Sequence, residues 1–218
     1  FCLSRGLGDV YKRQIFINTD VELISGDFAK VKAAGVDFAM IRCGYRAYGS
    51  GLLVEDTSFN TYTTNAIKNN IDVGVYFYSQ ALNKEEAIEE ANYVLTLVKP
   101  YNITYPIAID VEAIENDSFR QENLSASELT DVIIAFCDTI KAAGYTPLIY
   151  SNLLYFMDNV ELERLEGYDK WFAGYQTASP YYPYKYAMWQ YTSTGSINGV
   201  SGNIDTVSYT HLTLPTIL

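Results

Sequence analysis

The chain has 218 residues, 49% of them hydrophobic, and a formal net charge of −11 at pH 7. This length suffices for one domain with a full hydrophobic core. The acidity argues against nucleic acid and anionic membranes as partners, because both carry negative charge themselves. No stretch resembles a membrane span. We expect a monomer that does not insert into membranes.

Both ends of the chain differ in character from the rest. Asp9–Gln14 can be encoded by GATGTGTATAAGAGACAG, and the reverse complement of that DNA, read in another frame, encodes Val207–His211. This DNA resembles the transposon end used in sequencing-library adapters. We therefore predict that residues 1–14 and 207–218 are translated adapter that contributes little to the core. Residues 15–206 then form one domain, and a signal peptide is not observable in such a fragment.

Few residues of metal or redox chemistry remain between the two excluded ends. The only histidine, His211, lies in the C-terminal one, so no histidine is left for a metal cluster or a general base. Cys43 and Cys137 are far apart in sequence and lack the spacing of zinc ligands. We predict two free, packed thiols, and we expect neither a metal nor a cofactor.

Hydrophobic periodicity and turn residues predict an α/β fold of alternating strands and helices. Strands are predicted at Ile15–Val21, Val36–Tyr45, Ile71–Ser79, Pro106–Glu112, Thr146–Ser151, Trp171–Tyr175, Tyr186–Thr192 and Asn203–Asp205. Helices are predicted at Asp27–Ala34, Thr57–Asn69, Lys84–Lys99 and Ser125–Ala143, with a short one near Leu162–Leu165. The alternation requires a parallel sheet with right-handed crossovers. Five β/α units followed by three strands can close a single-domain barrel.

Two carboxylates end the fourth predicted strand, Pro106–Glu112. Because strand side chains alternate between faces, Asp110 and Glu112 point the same way, with Cα atoms roughly 6–7 Å apart. The C-terminal ends of strands carry the chemistry in α/β folds, and paired carboxylates in a cleft are the equipment of glycoside hydrolysis. The alternative is a strand end with two solvated acids, which this motif alone does not exclude.

Aromatic side chains near predicted strand ends can supply the other half of a sugar site, because apolar faces of sugar rings stack on Tyr and Trp. The candidates are Tyr45, Tyr76, Tyr78, Tyr150, Tyr175, Trp189 and Tyr191. Core packing is the alternative for each of them. Phe77 alternates with two of these tyrosines and is expected to face the helices. Arg42 pairs either with a site carboxylate or with another buried partner.

A series of short motifs extends along nearly all of Ile15–Asp205. They are Asp20-Val21 followed by Gly26, Phe28 to Phe38, Ile41 to Tyr45, Glu55 to Phe59, Gly74 to Tyr78, Asp110 to Glu112, Gly144 to Pro147, Ile149 to Asn152, Trp171 and Met188 to Tyr191. In this order, and on the predicted strands, they resemble glycoside hydrolase family 25, the Chalaropsis-type lysozymes.

The resemblance implies a flattened, TIM-like (β/α)5β3 barrel and N-acetylmuramidase activity. Such a lysozyme cleaves the β-1,4 bond between N-acetylmuramic acid and N-acetylglucosamine in peptidoglycan. The resemblance assigns the general acid to Glu112 and the supporting carboxylate to Asp110, and it places Asp20 and Asp205 on the wall that positions substrate or water. It also implies peptidoglycan strands as the partner and an extracellular or cell-wall location.

Like charges at this spacing cannot both ionise freely, so we predict a raised pKa for Glu112 and a lower one for Asp110. We also predict that the four acidic residues converge at one mouth of the barrel. Two departures from the family pattern concern the site. Glu22 stands where the family usually has serine, in a shortened first loop, and the strand that holds Asp205 runs into the predicted adapter.

Two other functions compete with a muramidase. The first is a catalytically weak or inactive cell-wall sugar-binding protein on the same barrel, which the altered first loop favours. The second is a family 18 chitinase, whose longer acidic motif reads Asp-x-x-Asp-x-Asp-x-Glu. Tyr105 and Ala108 occupy the upstream acidic positions of that motif here, which argues against a chitinase.

Overall fold

The computed structural model describes residues 13–17, 27–113, 119–175, 185–201 and 204–209. The strands are β1 Arg13–Ile17, β2 Val36–Arg46, β3 Leu53–Glu55, β4 Asp72–Tyr78, β5 Ile107–Asp110, β6 Pro147–Asn152, β7 Asp169–Ala173, β8 Met188–Gly195 and β9 Ile204–Tyr209. The α-helices are α1 Asp27–Ala33, α2 Phe59–Lys68, α3 Lys84–Val98, α4 Ala126–Ala142 and α5 Leu153–Asn159. Short 3-10 helices span Arg120–Asn123 and Leu162–Leu165.

The nine strands of the described residues belong to one sheet, in the order β1-β9-β8-β7-β6-β5-β4-β2-β3. The pairs from β2 through β4, β5, β6 and β7 to β8 are parallel, whereas β9 runs antiparallel to both of its neighbours. β1, at one end of this order, also pairs in parallel with β2, which stands next to the other end, so the sheet curls round on itself. The predicted α/β class with a parallel sheet is confirmed.

Strand alternation divides the apolar side chains into two clusters. The outer cluster lies between the sheet and the helices and contains Ile107, Ile109 and Phe77, which therefore faces the helices as predicted. The inner cluster lies on the concave face and contains Ala108 and Trp171. Because Asp110 has the same parity as Ala108, the strand directs it above the inner cluster.

A bulge in β2 decides which polar residues of this strand face the inside. The pairing with β4 shifts register between Arg42 and Gly44, and the extra residue reverses the alternation beyond that point. Arg42 and Tyr45 consequently both face inward, while Arg46 faces outward and bonds to residues of α3. Gly44 is required beside the bulge, because a Cβ there would lie 2.4 Å from the carbonyl oxygen of Val54.

Helix α5 and strand β3 are among the elements that differ from the prediction. Helix α5 was not predicted, although Asn152 caps it by accepting a hydrogen bond from the backbone N–H of Tyr155 at 2.9 Å. Strand β3 was not predicted either; it forms a hairpin with β2, and Gly51 supplies the positive φ of 72° that the turn needs. A Ser125–Glu128 capping box begins α4.

The described ends of the chain take part in the sheet. Gln14 pairs with Val207 between β1 and β9, and the side chain of Val207 is buried in the inner cluster. For Val207 the prediction of little contribution to the core is wrong, because its β-branched side chain continues the inward parity of Asp205. The adapter origin of residues 1–14 and 207–218 stays a prediction.

Other predictions concern cysteines and membrane spans. Cys43 and Cys137 are buried and free of disulfides, as predicted. Among the helices of the described ranges, none combines the length and the apolar character needed to cross a bilayer.

Candidate active site

A cavity of about 960 Å³ opens where the parallel strands end at their carboxyl side. Most of the predicted site residues line it: Arg42, Tyr45, Tyr76, Tyr78, Asp110, Glu112, Tyr150, Tyr175 and Asp205. Asp20 lies outside the described residues. The predicted convergence of carboxylates is therefore confirmed for Asp110, Glu112 and Asp205.

Asp110 is the deepest of the three carboxyl groups and is only 4% exposed. Its Oδ1 has no hydrogen-bond partner among the described residues. Burial raises the pKa of Asp110 well above its usual range, and the charge of Glu112 raises it further, while Arg42 opposes both. The predicted lower pKa of Asp110 is wrong, because that prediction considered the pairing of the carboxylates and not the depth of this one.

Glu112 stands two residues beyond the end of β5 and is partly exposed to the cavity. The backbone N–H of Val111 donates to the carbonyl oxygen of Tyr150 at 3.1 Å, which holds the chain in line with β6 up to this point. Burial, followed by the negative charge of Asp205, raises the pKa of Glu112 to about 7. Glu112 therefore carries a proton in mildly acidic solution and has access to the cavity in which to donate it.

Asp205 reaches the cavity from the last strand. The pairing of Phe16 with Asp205 brings β9 beside β1, and β8 holds its other edge. Burial raises the pKa of Asp205 to about 6, although a hydrogen bond from the side chain of Gln190 opposes the shift. Asp205 and Glu112 thus both ionise well above the usual carboxyl range, Asp205 at the lower pH.

Tyrosines form the walls around these acids. The ring of Tyr150 lies 4.5 Å from that of Trp171, and the ring of Tyr76 meets the same indole edge-on at 6.4 Å. Tyr175 is 44% exposed at the rim, and its hydroxyl accepts a hydrogen bond from Gln190 Nε2 at 2.9 Å. The cavity therefore offers both flat apolar faces and hydroxyl groups, which is what a sugar chain requires.

Arg42 has a buried ion-pair partner at the side of the cavity. Its Nε donates to Oδ2 of Asp56 at 2.7 Å, and its guanidinium lies 5.8 Å from the ring centre of Tyr45. The sequence left open whether Arg42 pairs with a site carboxylate or with another buried group. Arg42 forms an ion pair with Asp56, and it also lines the cavity and lowers the pKa of Asp110.

Trp189 does not belong to the cavity lining that the described residues form. Its indole N–H donates to the carbonyl oxygen of Gly174 at 2.9 Å, and its ring packs against the outer cluster. Alternation along β8 turns Gln190 toward this cavity instead of Trp189, so substrate binding by Trp189 stays a prediction. Sequence reasoning missed Gln190, although it lies in the quoted motif Met188 to Tyr191.

Sequence reasoning also missed part of the outer rim. Tyr48 and Ser50 come from the hairpin between β2 and β3, and Ser193 comes from β8. No local sequence pattern shows that this hairpin reaches the cavity. Among the described residues, no three His, Cys, Asp or Glu side chains are grouped so that they could hold a metal ion.

Comparison with known proteins agrees with this geometry. Residues 9–200 match the family model of Glycosyl hydrolases family 25. The autolytic lysozyme of Clostridium acetobutylicum is 24% identical over 189 residues, which cover 85% of this chain and 53% of that protein. The chain spans about half or less of the curated relatives it matches.

Two solved structures show the same fold. The modular autolysin LytC of Streptococcus pneumoniae, in complex with a synthetic peptidoglycan ligand, has a TM-score of 0.76 at 26% identity, with 92% of this chain and 47% of that one covered. The bacterial lysozyme of Streptomyces coelicolor has a TM-score of 0.74 at 22% identity, with 93% and 94% covered. Because the family model extends over most of its length, the chain belongs to the glycosyl hydrolases of family 25.

Proposed function

We propose that this protein is a lysozyme, an N-acetylmuramidase that hydrolyses the β-1,4 bond between N-acetylmuramic acid and N-acetylglucosamine in peptidoglycan. The observation that carries the proposal is the meeting of Asp110, Glu112 and Asp205, all with raised pKa, in one tyrosine-walled cavity. Family membership and the peptidoglycan ligand of the pneumococcal autolysin support this substrate.

Glu112 is the general acid in this proposal. With a pKa of about 7 it is largely protonated below neutrality, and it is partly open to the cavity. It protonates the bridging oxygen as the glycosidic bond breaks, which neutralises the charge developing on the leaving sugar. The negative charge of an ionised Asp205 disfavours the Glu112 carboxylate that results. Glu112 therefore tends to take up a proton again after the reaction.

Asp110 and Asp205 have supporting roles. Asp110 lies beneath Glu112 with its Oδ1 unpartnered among the described residues, so it offers an acceptor to the acetamido N–H of the sugar. Asp205 ionises near pH 6 and orients the attacking water. From the resemblance to family 25, we assign Asp20 to the polar wall that positions substrate or water. The tyrosines and Arg42 bind the glycan through stacking and hydrogen bonds.

The remaining parts of the proposal concern the whole domain. We propose that it is a flattened (β/α)5β3 barrel over residues 15–206, acting as a monomer. Its place of action is extracellular or at the cell wall, where the glycan strands are. The autolytic and phage-encoded relatives support this location.

The experiment that tests the function identifies the new reducing ends after digestion of purified peptidoglycan. Borohydride reduction of the products should give muramicitol from a muramidase. Glucosaminitol would instead show cleavage of the other glycosidic bond. Binding to cell walls without release of any reducing ends would favour the inactive sugar-binding protein.

The pH dependence of hydrolysis should follow the carboxyl groups of the cavity. We expect highest activity between about pH 6 and about 7, because Asp205 ionises at the lower value and Glu112 loses its proton at the upper one. Asp205→Asn removes a negative charge that raises the pKa of Glu112. The alkaline limb of the profile should therefore move to lower pH, by about half a unit.

The matched control for this prediction is Asp158→Asn, which changes an exposed carboxylate on α5. It should leave both limbs of the profile unchanged. An alkaline limb that stays in place in Asp205→Asn would contradict the proposed coupling of the two groups.

A further inference from the structure

Gln80 is a fully buried polar residue that follows β4 and does not line the cavity described above. Its backbone N–H donates to Oε1 of Glu90 at 3.3 Å, and the backbone N–H of Ser79 donates to the carbonyl oxygen of Asp110 at 2.9 Å. This short segment is therefore attached both to α3 and to the catalytic strand β5. Gln80 has no part in the proposed chemistry, yet it lies next to the strand that leads to Glu112.

The side-chain amide of Gln80 is oriented by two hydrogen bonds. Its Oε1 accepts from the backbone N–H of Arg120 at 2.8 Å, which leaves Nε2 to donate to the hydroxyl of Tyr78 at 3.1 Å. Arg120 is itself fixed, because its guanidinium pairs with both carboxylate oxygens of Glu86 at 2.9 Å and also donates to the carbonyl oxygen of Gln80 at 2.8 Å. The amide therefore has one orientation.

The orientation of the amide sets the direction of the next hydrogen bond. Because the hydroxyl of Tyr78 accepts from Gln80, its own hydrogen is directed elsewhere, and the carbonyl oxygen of Glu112 lies 3.4 Å away. Burial, reinforced by the charges of Asp110 and Glu112, raises the pKa of Tyr78, so its hydroxyl keeps that hydrogen. Gln80 donates to Tyr78, and Tyr78 donates to the main chain of Glu112.

We propose that Gln80 is a positioning residue that holds Glu112 in place through Tyr78. The side chain of Gln80 holds the carbonyl of Glu112 through Tyr78, and it holds the N–H of Arg120 directly. Gln80 touches neither the substrate nor the carboxyl group of Glu112. The inference rests on the proposed function where Glu112 is taken as the general acid.

The test begins with Gln80→Met, which keeps the volume and removes both side-chain hydrogen bonds. We expect kcat to fall about tenfold with KM changed less than about twofold, since the loss corresponds to one hydrogen bond that orients the acid and not to a contact with substrate. The alkaline limb of the kcat profile should move to lower pH, because a loosened Glu112 becomes more hydrated.

Gln121→Met is the matched control. Gln121 is also a buried glutamine, 2% exposed, and its Nε2 donates to the carbonyl oxygen of Ala81 at 3.0 Å. The control should leave kcat and the alkaline limb unchanged even where it lowers the melting temperature. If both variants lose kcat and shift the limb alike, the effect is one of stability and the inference is overturned.

A double-mutant cycle with Tyr78→Phe tests the route. If Gln80 acts through the hydroxyl of Tyr78, Gln80→Met should lower kcat far less in the Tyr78→Phe background than in the wild type. If the decrease in kcat of the double variant equals the product of the decreases in the two single variants, this route is overturned.

A substrate-free measurement separates the inference from the proposed function. Carbon-13 NMR of the Glu112 carboxyl group gives its pKa directly, and that pKa should be lower in Gln80→Met than in the wild type. An unchanged pKa would overturn the positioning role. A shifted pKa in a protein that hydrolyses no peptidoglycan would uphold the positioning role while refuting the proposed function.

Discussion

Replacing Glu112 with glutamine should lower kcat for peptidoglycan hydrolysis by about 10²- to 10⁴-fold, the usual contribution of a general acid. Glutamine keeps the size of the side chain and its access to the cavity, but it has no proton to give to the leaving oxygen. The measurement is the rate of release of reducing ends. Glu163→Gln, which changes an exposed glutamate, is the control and should retain full activity.

The same substitution should stabilise the folded protein in alkaline solution. Since the folded-state pKa of Glu112 is about 7 and its ordinary value is 4.5, its stabilising effect is fully present below pH 4.5 and is lost as the pH rises through 7. Glutamine cannot ionise and avoids this loss. We expect a gain of about 2 kcal/mol in the free energy of unfolding at pH 8, allowing for partial solvation of the group.

Urea unfolding at pH 8 and at pH 4.5 measures this effect, which should be present at the higher pH and nearly absent at the lower one. An inactive variant that is also less stable at pH 8 would mean that Glu112 contributes to the fold. An active Glu112→Gln variant would remove it from the chemistry.

Replacing Arg46 with methionine should cause a loss of stability of about 3–5 kcal/mol, because it leaves Glu90 buried without its charge partner. Glu90 is 0% exposed and Arg46 is 4% exposed, and Arg46 Nε donates to Glu90 Oε1 at 2.8 Å. The guanidinium also donates to the carbonyl oxygen of Gly51 at 2.8 Å. Removing it therefore breaks both the ion pair and an anchor of the hairpin between β2 and β3.

The loss should grow with pH. Burial already raises the pKa of Glu90 to about 7, and removing Arg46 raises it further. The unpaired carboxyl group of Glu90 is neutral in acidic solution. In alkaline solution it is either ionised without a partner or held protonated above its ordinary pKa, and both states destabilise the folded protein. Urea unfolding at pH 5 and at pH 8 should therefore show the larger loss at pH 8.

A second substitution supplies the control for this prediction. Arg46→Met combined with Glu90→Gln removes both charges of this pair and should recover part of the stability. Arg164→Met, at an exposed ion pair with Glu161 and Asp131, should change the free energy of unfolding by less than about 1 kcal/mol. Equal losses at Arg46 and Arg164 would contradict the account of the buried pair.

The part of the site that sequence could predict depends on local periodicity. Asp110 and Glu112 share a face because strands alternate, and the inward tyrosines of β4 and β6 follow from the same rule. Where a local irregularity changes the parity, the same reasoning fails: the bulge in β2 turns Tyr45 inward and Arg46 outward. At Trp189 the strand bounds were close, but the choice of inward face was wrong.

Properties that depend on the three-dimensional surroundings of a residue could not be predicted from the sequence. The pKa of Asp110 reflects its depth beneath the tyrosines, which residue spacing does not report. Arg46 and Glu90 are separated by 44 residues, and no sequence pattern pairs them. Gln80 resembles any loop glutamine until its partners, Tyr78 and Arg120, are seen around it.

The neighbouring positions of β1 and β9 have a consequence for the order of folding. The strands from β2 to β8 can assemble progressively, each on a strand that precedes it in sequence, whereas Asp205 reaches the cavity only when the last strand has joined both β8 and β1. Contacts of such large sequence separation form late, because loop closure must precede them. The folding chain can therefore build most of its core while its cavity still lacks one of the three carboxyl groups. The set of three is complete only when β9 has paired with both of its neighbours.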